Sequence, residues 1–113
     1  ELGVFVKNGE LHFDPCLLRK SEFLGKEKTF EYVDVHSQTQ QLPLEKGSLA
    51  FTYCQVPIVY HLATKNGLNI KHKNGTATAF DTLSLDGHTS REIFGRTGEV
   101  VEIHVQIEES ELQ

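Results

Sequence analysis

Val4-Phe5-Val6-Lys7-Asn8-Gly9-Glu10-Leu11-His12-Phe13 decides how the rest of the chain is read. Two short apolar-rich runs flank Asn8-Gly9, and Asn-Gly between such runs is the strongest short-range signal of a β-hairpin. Both central residues of a type I′ turn need positive φ, which Asn and Gly tolerate. In the second run Leu11 and Phe13 share one face, and His12 and Asp14 share the other. Pro15 ends the strand because proline offers no amide to a ladder.

The same signal recurs downstream. Asn66-Gly67 and Asn74-Gly75 bracket Leu68-Asn69-Ile70-Lys71-His72, and Thr76 to Phe80 is the expected partner strand. Three such turns argue against a helical protein. Val100 to Ile107 (VVEIHVQI) is the cleanest alternating strand. Its expected inward set is Val101, Ile103, Val105 and Ile107, with Glu102, His104 and Gln106 outward. His72 shares a face with Leu68 and Ile70 and is expected in the core.

The middle of the chain follows the same logic. Thr29 to Val35 (TFEYVDV) reads as a strand with Phe30 and Tyr32 on one face and Val33 and Val35 on the other. Apolar residues on both faces predict a covered strand or a bulge. Gln38 to Glu45 is polar and contains Pro43, which places it at an edge. Lys46-Gly47 is a turn. Leu49, Phe51 and Tyr53 alternate, then Val56, Ile58, Tyr60 and Leu62 alternate in another phase. The phase change near Gln55 and Pro57 predicts two strands, or one strand bent by a bulge. Residues 16–26 carry Leu17, Leu18, Phe23 and Leu24 at mixed spacing and suggest a turn or short helix. Asp86 to Gly95 is the one helix candidate, with Thr89 or Ser90 as expected cap and Glu92 in the first turn.

Seven to nine short strands at this spacing give an all-β fold, a jelly-roll-like antiparallel β-sandwich with one short helix. A length of 113 residues fits a single domain over residues 1–113. No apolar run approaches the ~18 residues that span a membrane, so no membrane partner is expected, and the expected compartment is the cytoplasm. There are 16 acidic residues against 11 basic ones. Nucleic-acid binders show a basic face, whereas the densest basic pairs here are Lys26 with Lys28 and Lys71 with Lys73. Nucleic acid is therefore not an expected partner. The chain contains no methionine, so it is expected to be a piece of something longer. Cys16 and Cys54 are expected to be buried reduced thiols, since small secreted scaffolds carry more cysteines.

Chemistry leaves little trace. The histidines are His12, His36, His61, His72, His88 and His104, none close enough in sequence for the i, i+2 pair of a metal-binding jelly roll. Apart from His72, they read as solvated or capped groups on outer faces. Nothing marks two of Asp14, Asp34, Asp81, Asp86 or the glutamates as a glycoside-cleaving pair. There is no Gly-x-Ser-x-Gly elbow and no phosphate loop. Cys54 falls in an apolar run and reads as unreactive. No catalytic residue, metal ligand or cofactor is expected. Aromatic rings could stack on sugars, and Tyr32, Tyr53 and Tyr60 are the carbohydrate-binding candidates, with Phe30 and Phe51 behind them, although Tyr and Phe at alternating positions more often fill a core. Tryptophan, the usual platform, is absent.

Two stretches carry a resemblance. Gly3 to Pro15 (GVFVKNGELHFDP), followed by Phe23-Leu24, and Gly47 to Tyr60 (GSLAFTYCQVPIVY) look like the C-terminal β-sandwich of the cellobiose and chitobiose phosphorylase family and its bacterial relatives. The likeness covers about half of the chain. It implies a parent with an N-terminal β-sandwich, a helical linker, an (α/α)₆ barrel and this C-terminal domain. The family's catalytic acid lies in the barrel, so no catalytic residue carries onto any position here. The implied parent reaction is phosphorolysis of a β-linked disaccharide to a sugar 1-phosphate. The implied partner of this domain is the barrel, and an oligosaccharide is the second candidate. The Gln55-Val56-Pro57 join and the tail after Glu108 fall outside the family pattern.

Overall fold

The computed structural model describes residues 3–14, 23, 25 and 28–111. Cys16 and the helix or turn expected over 16–26 lie outside the described residues, apart from isolated positions. The strands are β1 (Val4–Lys7), β2 (Glu10–Phe13), β3 (Lys28–Val33), β4 (Thr39–Leu44), β5 (Ser48–Tyr53), β6 (Val56–Ala63), β7 (Gly67–His72), β8 (Ala77–Phe80) and β9 (Val100–Glu108), with helix α1 (Gly87–Phe94) between β8 and β9. Among the described residues the fold is all-β with one short α-helix, as the turn signals predict. β1–β2 and β3–β4 are hairpins, and the other five strands form one sheet in the order β5-β6-β9-β7-β8.

One pairing departs from expectation. β9 runs parallel to β6 and antiparallel to β7, so the large sheet is mixed. A parallel pair needs a long crossover, which here consists of β7, β8 and α1 together. Asn66-Gly67 is therefore not a hairpin turn, because β9 lies between β6 and β7. Asn66 Oδ1 instead accepts the Glu108 amide at 2.8 Å. Gly67 sits at a close approach: a Cβ there would lie a tight 3.3 Å from the Phe80 carbonyl oxygen. Asn8-Gly9 does form the expected turn, with φ of 54° and 75°.

The phase change after Tyr53 is also a turn. Cys54 and Gln55 both adopt positive φ, 52° and 64°, and join β5 to β6 as a tight hairpin. Neither residue favours that conformation, so the sequence shows the phase change without a turn signature. Cys54 is accordingly a half-buried turn residue with a free thiol, not a buried strand residue.

The core lies on one face of the large sheet. Ile58, Tyr60, Leu68, Ile70, Ile103, Val105 and Ile107 are all buried there. Leu11 and Phe13 of β2 and Ile93 of α1 close over them. Phe13 meets Tyr60 edge-on at 6.4 Å between ring centroids, and Phe51 lies 5.5 Å from the same ring. Residues 83–85 pair with β2: the Phe13 amide donates to the Leu83 carbonyl at 2.8 Å, and the Leu85 amide to the Leu11 carbonyl at 2.9 Å.

Three local readings are corrected. A register shift between Lys71 and His72 brings Val100, not Val101, into the core, leaving Val101 exposed. A bulge reverses the alternation it interrupts. His72, at the end of β7, is half-buried and not among the core residues, with its Nε2 2.8 Å from Thr78 Oγ1. Neither Thr89 nor Ser90 caps α1. Asp86 does so, its carboxylate accepting the Thr89 amide at 2.7 Å, and that bond holds the Asp86 carboxyl below the usual aspartate value.

Candidate functional site

The other face of the large sheet is polar and carries the candidate site. Hairpin β3–β4 lies against it. Leu42, Pro43, Leu44 and Glu45 share a cavity of about 140 Å³ with Val59, His61 and His104. Nearer the hairpin turn, a larger groove of about 380 Å³ opens between β3–β4, the Cys54-Gln55 turn and the start of β9. That volume falls at the lower end of the range for small-ligand sites, ~300–1,000 Å³.

Asp34 builds one wall of the groove. Its Oδ1 accepts the amides of His36 and Gln38 at 2.9 and 3.0 Å, which folds the β3–β4 turn. Its Oδ2 accepts Gln40 Nε2 at 2.9 Å. These bonds, the Gln38 amide foremost, hold the Asp34 carboxyl below its ordinary range. Gln55 Nε2 donates to the Asp34 carbonyl oxygen at 2.9 Å and ties the β5–β6 turn to this loop. Tyr32, Lys73 and Val101 line the remainder. Tyr32 stacks on Phe30 at 5.8 Å with the planes 20° apart. Burial, then the charges of Glu102 and Asp34, raise the Tyr32 phenol above its usual value and keep it a donor.

Of the three candidate tyrosines, only Tyr32 faces the groove. Tyr53 packs edge-on against Phe94 at 6.5 Å. Burial and the neighbouring Cys54 raise its phenol. Tyr60 is fully buried and its ring is enclosed by Phe13 and Phe51. It presents no face on which a sugar could stack. Its described lining thus combines the Tyr32 ring and hydroxyl, the His36 imidazole, the side-chain amides of Gln38, Gln40 and Gln55, the Lys73 ammonium and the Asp34 carboxylate. Those groups suit hydrogen bonding to a polyhydroxylated ligand. Two-carboxylate hydrolysis of a glycoside needs a second acid, and among the described residues the groove lining supplies only Asp34.

A second cluster escaped sequence reasoning. His61 Nε2 lies 2.8 Å from His104 Nδ1, and His104 Nε2 lies 2.8 Å from Glu102 Oε1. The ring centroids are 5.1 Å apart with planes only 15° from parallel. Nitrogens that close with centroids that far apart mean the rings meet edge to edge, in the plane of the hydrogen bond. Lys71 Nζ approaches the same Glu102 oxygen at 3.9 Å. Burial, then His104, lower the pKa of His61. The Glu102-x-His104 pattern is visible in the sequence. His61, 43 positions earlier, joins it only through the parallel pairing of β6 with β9. Among the described residues no three His, Cys, Asp or Glu side chains are grouped so as to hold a metal ion.

A mixed five-stranded sheet, covered on one face by a hairpin and a short helix and on the other by a second hairpin, defines an all-β sandwich domain. Comparison with protein-family models and with curated proteins finds no match to this chain. No helix among the described residues is long and apolar enough to cross a membrane.

Proposed function

We propose that this β-sandwich is a non-catalytic accessory domain of a cellobiose-phosphorylase-like carbohydrate-active enzyme, acting in the cytoplasm beside the (α/α)₆ barrel of its parent. One observation carries the reading. Both stretches that resemble the family serve the core: Leu11 and Phe13 from the first share one cluster with Ile58 and Tyr60 from the second, Phe13 meeting Tyr60 edge-on. Residues held in this way support a scaffold and leave chemistry to a neighbour. Among the described residues Phe5, Val6, Val33 and Val101 are large apolar side chains between 38 and 50% exposed, and they are the candidates for contact with another domain.

The reading is tested by sedimentation equilibrium of this chain over a wide concentration range. Weak, reversible self-association is expected, and the double variant Phe5→Ser with Val6→Thr should reduce it without loss of fold. A strictly monomeric chain at every concentration would count against a docking face.

A second reading, an independent carbohydrate-binding module, is favoured by the groove beside Tyr32. There an aromatic ring and the amides of Gln40 and Gln55 stand within one site. Under that reading Tyr32 supplies the stacking surface and an oligosaccharide is the ligand.

A further inference from the structure

The His61–His104–Glu102 line sits between the polar face of the sheet and hairpin β3–β4, and neither reading of function uses it. We propose that it is a one-proton relay that keeps β3–β4 seated on the sheet and releases it in acid, when a second proton leaves both facing ring nitrogens carrying hydrogen.

The geometry accounts for each proton. With both rings neutral, His104 Nε2–H donates to Glu102, and His104 Nδ1 accepts from His61 Nε2–H. One added proton is accommodated without moving a ring. His104 then donates from both nitrogens, to Glu102 and to His61 Nε2, while His61 shifts its own hydrogen to Nδ1. A second added proton has no such solution. Two N–H groups would point at each other across 2.8 Å, and His61 would become a cation in a cavity walled by Leu42, Pro43, Leu44 and Val59.

The charged and titratable neighbours are few. Glu102 stands on β9 and Lys71 on β7, 3.9 Å apart. Tyr32 on β3 lies within the electrostatic reach of Glu102. Glu45 follows β4 and favours the charged form of His61, the smallest of the effects on that ring. Ser48 is paired opposite His61 from β5, its hydroxyl donating to the Glu45 carbonyl at 2.6 Å. None of them supplies an acceptor between the two rings.

The sign follows from His61, whose pKa in the folded chain is lowered. The stability it contributes is complete above the unfolded value, about 6.5. It is lost as pH falls toward and through the folded value, because the unfolded chain takes up a proton that the folded chain refuses. The loss falls on the element packed over the pair, hairpin β3–β4.

The test is long-range ¹H–¹⁵N correlation of the histidine ring nitrogens in the whole chain, titrated downward from alkaline pH, with amide exchange of Thr39–Leu44 followed in parallel. The pair is expected to titrate in two separated macroscopic steps. Protection of the β4 amides should fall at least about tenfold through the second step and hold through the first. His104→Gln removes the facing ring but not the burial of His61, so it should leave a single His61 titration in place of two steps and a smaller fall in β4 protection. If that variant fails to fold, the wild-type profile still decides. Both rings titrating together in the ordinary histidine range, or β4 protection unchanged through the second step, would overturn the proposal.

Discussion

Tyr60→Ala is expected to cost about 3–5 kcal/mol of folding stability, the range for removing a buried aromatic ring. Tyr60 is fully buried in the centre of the core and receives Phe13 from β2 and Phe51 from β5. Its removal empties the point where the first hairpin meets the large sheet. Domains of this size hold a total of roughly 5–15 kcal/mol, so the variant should lose most of its margin. Guanidinium unfolding followed by circular dichroism would measure it. Tyr60→Phe keeps the ring and separates packing from the hydroxyl. A loss below about 1 kcal/mol for the alanine variant would mean that Tyr60 is not at the centre of the core.

Ser90→Ala is expected to cost about 1–3 kcal/mol, a large effect for deleting one oxygen. The Leu11 amide donates to Ser90 Oγ at 3.0 Å, and both residues are fully buried. Without the hydroxyl, the amide of a β2 core residue is stranded away from water. This bond is also a direct tie between α1 and the first hairpin, across 79 residues of sequence. The variant should therefore show its fastest-exchanging core amide at Leu11, as well as a lower unfolding midpoint. Unchanged exchange at Leu11 would show that the tie contributes nothing.

The sequence made the local elements legible and the long-range ones obscure. Asn8-Gly9 announces its hairpin because only small or αL-tolerant residues fit a type I′ turn. The alternation in Val100–Ile107 announces β9, and the buried set from Ile103 onward is as the period requires. Cys54-Gln55 gives no turn signature, since its positive φ values are held by tertiary contacts, among them the bond from Gln55 to Asp34. Asn66-Gly67 imitates a hairpin that does not form, because β9 takes the place beside β6. Periodicity cannot tell a parallel neighbour from an antiparallel one, and the register of β6 with β9 is what brings His61 to His104.

The candidate groove was legible in one residue. Tyr32 was marked by its pairing with Phe30 on one strand face. The contributions of Asp34, Gln40 and Gln55 depend on a loop folded by side-chain hydrogen bonds, for which the chain carries only the bare residue types. Tyr53 and Tyr60 show the limit of reading aromatics by type. An aromatic in an alternating strand fits the core as well as a ligand site, and its neighbours across the sheet decide between them.

The most direct test of the accessory-domain account is an amide NMR titration of this chain with cellobiose, chitobiose and glucose 1-phosphate at millimolar concentration. The account predicts a well-dispersed spectrum that none of the three sugars moves. A contiguous set of shifts around Tyr32, Gln40 and Gln55 would contradict it and make the groove a carbohydrate-binding site.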